Sequence, residues 1–215
     1  MPMVKQAAWF AVFALVFLAG GFLALAGNSP SFDSRDAVRK QYFPDVVLTT
    51  QDGKQVHFYE DLLKDKIVTI NFMYTDCPEG VCPITTHNLL QARKILAKRG
   101  PDRLGHDIFT YSISLDPKHD TPEVLKRYAK EHGAEGPGWL FLTGKPEDVE
   151  LLRRKLGFTD TDPAIDKEKT SHVGAVRYGN ERYQWWSMVP GASKPDVIAE
   201  SVLYVDWPKP SAKTN

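Results

Sequence analysis

Cysteine is scarce in this chain: 215 residues contain two, Cys77 and Cys82, so a metal site built on them needs a further ligand from histidine or methionine. Net charge is missing as well. Lys and Arg number 27 against 27 Asp and Glu, so no net field draws the chain toward nucleic acid, and nucleic acid is set aside as a partner. There is no internal repeat and no low-complexity tract. What remains is an ordinary composition, 42% hydrophobic, and a length beyond the N-terminus that suits one α/β domain.

The first thirty residues stand apart. Lys5 precedes an uncharged apolar run from Ala7 to Gly27, which at about 1.5 Å per helical residue spans a bilayer core of roughly 30 Å. A cleaved signal has an apolar region of only about 7–15 residues, although Ala24-Leu25-Ala26 fits a cleavage site. The expectation is one N-terminal transmembrane helix over residues 1–30 that anchors the chain, with Lys5 on the cytoplasmic side. No Arg- and Ser-rich leader is present, which favours a bacterial inner membrane with the remainder facing the periplasm over a mitochondrion. Residues 31–42 are polar and read as a tether.

From Phe43 onward apolar patterns alternate between short strands and helices. Phe43 to Thr49 and Gln55 to Phe58 flank Asp52-Gly53, a hairpin signal; Tyr59 to Leu63 reads as a helical turn. Ile67 to Tyr74 is β-branched and aromatic without Gly or Pro, as in a strand buried on both faces. Pro83, Leu89, Ala92 and Leu96 mark a helix that Gly100-Pro101 ends. Ile108 to Leu115 is a second strand, and Thr121-Pro122-Glu123 starts a helix that stops near Gly133. Trp139 to Leu142 is a strand and Lys145 to Leu156 a helix. Thr159 to Lys169 is expected as a surface loop, His172 to Tyr178 and Tyr183 to Met188 as a hairpin turning at Gly179-Asn180, and Pro195 to Tyr204 as a last helix. Residues 207–215 read as a loose tail. Together these predict a mixed central sheet with helices on both faces and additional hairpins.

Both cysteines fall where the first buried strand gives way to a helix, the placement of a thioredoxin-like thiol pair. Cys82 is expected at a helix N-terminus, whose dipole and orphan amides favour a thiolate. Four residues separate the cysteines, Pro78-Glu79-Gly80-Val81, where thioredoxin-type redox pairs have two. The longer spacer lets both sulfurs turn toward one external soft ion, Cu(I) or Zn(II). Among six histidines, His57, His106 and His132 read as surface residues. His87 follows Pro83 by about one helical turn, His119 lies in a loop beside Asp120, and His172 opens a strand after a flexible segment. Asp116 and Asp120 either shape the loop beside the cysteines or are ordinary turn residues. Three readings stay open: a binding site for a soft metal ion, Cu(I) or Zn(II), a periplasmic thiol-disulfide oxidoreductase in which one of Cys77 and Cys82 attacks and the other resolves, and a structural disulfide in an oxidising compartment.

The stretch Tyr74-Thr75-Asp76-Cys77-Pro78 leading to Val81-Cys82-Pro83 resembles the copper-binding signature of the Sco/SenC family of cytochrome c oxidase assembly proteins, with a C-x4-C spacing in place of the usual C-x3-C. Ser112 to Pro117 followed by Asp120-Thr121-Pro122 is similar to that family's second block, Leu142-Thr143-Gly144 to its third, and Ser171-His172-Val173 to the segment carrying its histidine ligand. The resemblance runs from about Phe43 to Tyr204. It implies a thioredoxin-like copper-binding domain over residues 43–206, with Cys77, Cys82 and His172 holding one copper ion, Cu(I) and also Cu(II). The role it implies is delivery of copper to the dinuclear copper centre of the oxidase, or reduction of that centre's cysteines, as a metallochaperone rather than an enzyme. The implied partners are a copper-containing oxidase subunit or another copper chaperone.

Overall fold

The computed structural model describes residues 34–77, 80–167 and 174–206. Seven strands form one sheet in the order β2-β1-β5-β4-β3-β6-β7. The hairpin at Asp52-Gly53 is as expected: β1 (Val47–Thr50) pairs antiparallel with β2 (Gln55–His57), Leu48 opposite Val56, and Gly53 supplies the left-handed φ of 78° that the turn needs. β3 (Ile67–Met73), β4 (Ile108–Ser114) and β5 (Trp139–Gly144) are parallel, with Ile67 opposite Ile108 and Thr110 opposite Trp139. β6 (Ala175–Asn180) runs antiparallel to β3, and β7 (Trp185–Pro190) antiparallel to β6. Every residue of β3 is buried, because helices cover both faces of the sheet at its centre.

Among the described residues six α-helices accompany the strands: α1 (Ser34–Tyr42), α2 (Val81–Arg99), α3 (Pro122–Glu131), α4 (Pro146–Lys155), α5 (Pro163–Lys167) and α6 (Pro195–Tyr204). One face of the sheet packs Ile67, Met73, Trp139 and Phe141 against Leu89 and Leu96 of α2, Leu125 of α3 and Ile198 and Val202 of α6. The other packs Val68, Ile70, Phe72 and Ile113 against Leu152 of α4 and a π-helical turn, Phe58–Leu63. Period-two alternation along β3 thus feeds two separate cores.

Three local readings differ from the structure. Within the polar stretch 31–42, Ser34–Tyr42 is helical, with Asp36 paired to Arg39 one turn on at 3.3 Å. Within the loop expected over 159–169, Pro163–Lys167 forms α5, where Asp162 accepts from the Ala164 amide at 2.8 Å and Arg153 grips Asp166 at 2.6 Å. Gly179 and Asn180 belong to β6 rather than to a turn. The chain reverses at Glu181–Tyr183, where the buried Glu181 carboxylate accepts from Tyr59 Oη at 2.7 Å and from the Asp65 amide at 2.8 Å. Trp186 packs on Phe43 with ring centroids 4.6 Å apart, while Trp185 stays 38% exposed beside Tyr204. No helix among the described residues is long and apolar enough to cross a membrane. The anchor expected over residues 1–30 and the tail over 207–215 lie outside the described residues.

Candidate metal centre

β3 ends at Met73 and α2 begins at Val81, so Cys77 sits on the short connection leaving the C-terminal end of a central parallel strand and Cys82 in the first turn of the helix that follows. That is the end of an open α/β sheet where ligands are usually held. The connection turns back tightly. The Gly80 amide donates to the Cys77 carbonyl at 3.1 Å, and Gly80 adopts φ 70°, ψ 2° as the N-cap of α2. A residue with a Cβ is strained in that conformation. The Gly80 contact holds the start of α2 against Cys77, and the Cys77 thiol bears on that of Cys82, helping to raise its pKa. They stand as two thiols, Cys77 half-buried and Cys82 2% exposed.

Cys82 lies in the first turn of α2, yet its thiol is not tuned toward the thiolate as the sequence suggests. Burial pushes its pKa up. The Cys77 thiol adds to this, and the Tyr74 amide, donating to Cys82 Sγ at 3.4 Å, opposes it. Desolvation prevails because Cys82 is packed into the core with Met73 and Leu89. Two phenols, one half-buried and one buried, line the same neighbourhood. Tyr74 is pushed up to about 12, first by burial and then by Asp116 and Cys82. Tyr128 of α3 is likewise pushed up to about 12, chiefly by burial, and exchanges a hydrogen bond with Thr86 of α2 at 3.1 Å.

Asp120, the fully buried carboxylate of the β4–α3 loop, ties that loop to the cysteine loop. It accepts from Ser114 Oγ at 2.5 Å, from the Thr75 amide at 3.3 Å and from Thr75 Oγ1, and its Oδ1 lies 2.9 Å from His119 Nδ1. Of the two roles open to Asp120, the structure places it as a shaper of the cysteine loop. His119 sits at the same corner, its imidazole pKa raised by the hydrogen bond to Asp120. The other histidines are dispersed: His57 is paired with Asp45, His87 and His106 are exposed, and His132 stacks on Tyr128. His172 lies outside the described residues. Among the described residues no third His, Cys, Asp or Glu completes a metal-binding group with the thiols.

Gly174, two residues beyond His172 in sequence, is held against the first turn of α2. Gly174 and Gly191 meet through a backbone hydrogen bond of 2.8 Å, and Asn88 of α2 donates to the Gly191 carbonyl at 3.0 Å. A Cβ at Gly174 would lie 2.8 Å from Val81 Cγ1, and one at Gly191 would lie 2.4 Å from Thr85 Oγ1. The two glycines let the ends of β6 and β7 close directly onto the first turns of α2.

Comparison with known proteins agrees with this architecture. Residues 35–205 match the family model described as SCO1/SenC. A SCO1 protein homolog of Bacillus subtilis is 33% identical over 130 residues, covering 60% of this chain and 60% of that protein; of several other curated relatives the chain spans about half the length. Among solved structures, Arabidopsis thaliana ScoI with copper bound superposes with a TM-score of 0.56 at 23% identity, over 74% of this chain and 93% of that one. The structure in which a disulfide switch was identified in BsSco, a member of the Sco family of cytochrome c oxidase assembly proteins, superposes with a TM-score of 0.59 at 24% identity, over 76% of this chain and 92% of that one. These neighbours share the mixed α/β, thioredoxin-like fold.

Proposed function

The chain belongs to the SCO1/SenC family, and on that premise we propose that it is a membrane-anchored copper-binding assembly factor in which Cys77, Cys82 and His172 hold one copper ion as cargo for the dinuclear copper centre of cytochrome c oxidase. The observation that carries this reading is the pair of free thiols, Cys77 half-buried and Cys82 buried, beside the C-terminal end of β3, where the Tyr74 amide reaches Cys82 Sγ. Two soft sulfur donors suit Cu(I), and an imidazole completes a low-coordinate set that also tolerates Cu(II). His172 is supported as the third ligand by Gly174. Two residues beyond His172, Gly174 sits against Val81, and two residues of chain reach about 7 Å. The anchor, from the apolar run Ala7 to Gly27, would keep the domain at the periplasmic face of the bacterial inner membrane, within reach of an oxidase subunit or another copper chaperone.

The test is anaerobic titration of the reduced protein with Cu(I) against a competing chelator. One tight equivalent is expected, abolished in Cys77→Ser, Cys82→Ser and His172→Ala. Full binding in the His172 variant would remove that residue from the site.

A second reading rests on the asymmetry of the pair. Half-buried Cys77 is accessible to a partner disulfide, whereas Cys82 is buried and held as a thiol, the division of labour of an attacking and a resolving cysteine. In that role the protein would reduce the client's cysteines. Turnover of a disulfide substrate that is lost in both cysteine variants supports it, and tight copper binding without any such turnover rules it out.

A further inference from the structure

Asp120 is a buried carboxylate that no Lys or Arg is seen to neutralise: its described side-chain partners are Thr75, Ser114 and His119. Burying a carboxylate is costly unless its lone pairs are filled, and here hydroxyl, amide and imidazole groups fill them. These partners come from three places. Ser114 ends β4, His119 belongs to the loop that Asp120 itself closes by donating its amide to the Asp116 carbonyl at 2.8 Å, and Thr75 stands two residues before Cys77. Thr75 is the only one of the three on the cysteine loop. It is held twice, through its amide and its hydroxyl, so its orientation as well as its position is set.

We propose that Asp120 is the positioning residue of the thiol pair, fixing Thr75 to the end of β4 so that Cys77 is presented to Cys82 in one geometry. The inference rests on the reading that Cys77 and Cys82 act as a pair. Cys82 is buried in the core under α2, whereas Cys77 packs at the edge of that core on a connection held by the Gly80 turn on one side and, on the other, by the Tyr74 amide on Cys82 and the Thr75–Asp120 contacts. Removing the second anchor lowers the effective concentration of one thiol near the other.

The test uses a reaction that needs no metal. With glutathione disulfide, the two thiols form the Cys77–Cys82 disulfide: one S–S bond breaks, one forms, and the two thiol protons leave with two glutathione thiols. The equilibrium constant is expected to fall about tenfold or more in Asp120→Ala and severalfold in Thr75→Val. In Asp120→Asn, which keeps an acceptor oxygen, the loss should be smaller than in Asp120→Ala. The double variant Thr75→Val/Asp120→Ala should be little worse than Asp120→Ala, since both remove one contact. A wild-type equilibrium constant in folded Asp120→Ala overturns the proposal. If that variant does not fold, a wild-type constant in Thr75→Val overturns it instead. The Cu(I) titration on the same proteins separates the two levels: a wild-type chain that binds no copper sinks the copper reading, while the glutathione series still decides the role of Asp120.

Discussion

Arg153 is 9% exposed on α4 and carries its charge there because its guanidinium is fully used. It donates to both oxygens of Asp166 at 2.6 and 2.9 Å, to Glu150 and to the Phe158 carbonyl at 2.7 Å. Hydrogen bonds from Arg153 hold the Asp166 and Glu150 carboxyl groups below their ordinary range, the Asp160 amide adding to the effect at Asp166. A carboxyl lowered in the folded state stabilises above its unfolded pKa, near 4, and that contribution disappears as pH falls through the folded value. Urea unfolding of wild type and Arg153→Met should therefore differ at pH 6, and the gap should start to narrow as pH falls below about 4 and go on narrowing at more acid pH; a gap that stays constant from pH 6 to about 2 contradicts the assignment. At the candidate metal centre the cysteine pair was legible because its place between strand and helix is a local pattern. The burial of Cys82 was not, since a helix-terminus argument sees the dipole and misses the core, Met73 and Leu89 among it, into which the side chain is packed. Asp120 looked like a turn residue because Thr75, which reveals its role, is 45 residues away in sequence.

At the level of elements, patterns with a physical cause inside the segment were read correctly. The run Ile67–Met73 is buried throughout, and Thr121 caps α3 by accepting from the Val124 amide at 3.4 Å, with Pro122 in the first turn. Elements held by distant partners were missed: α5 needs Arg153 to grip Asp166, and the end of β6 needs Tyr59 and Asp65 to fix Glu181. The glycine contacts at the head of α2 lead to a further expectation. Gly191→Ala drives a Cβ to 2.4 Å from Thr85 Oγ1 and 3.2 Å from the Gly174 carbonyl, so β7, α2 or both must shift. Overpacking of this kind costs about 1–3 kcal/mol. Thermal unfolding should show that loss, together with weaker copper binding because the segment following His172 is displaced. An unchanged melting temperature and unchanged affinity would mean that the β6 and β7 ends do not brace the site.

Across the whole molecule, the mixed sheet with helices on both faces followed from alternating strand and helix patterns, whereas the order β2-β1-β5-β4-β3-β6-β7 did not. Placing β1 beside β5 and β6 beside β3 depends on long-range pairing that no local periodicity encodes. That order determines what surrounds the cysteines. β4 beside β3 delivers Asp120 to the cysteine loop, and β6 antiparallel to β3 on its other side brings Gly174 to the start of α2, so residues far apart in sequence meet at this end of the sheet. The most direct test of the copper site is X-ray absorption at the copper edge on the Cu(I)-loaded full chain and its His172→Ala variant. Two sulfur ligands and one imidazole nitrogen are expected in the wild type, with the nitrogen lost and both sulfurs retained in the variant. A single sulfur, or an imidazole contribution that survives the substitution, would contradict a site built from Cys77, Cys82 and His172.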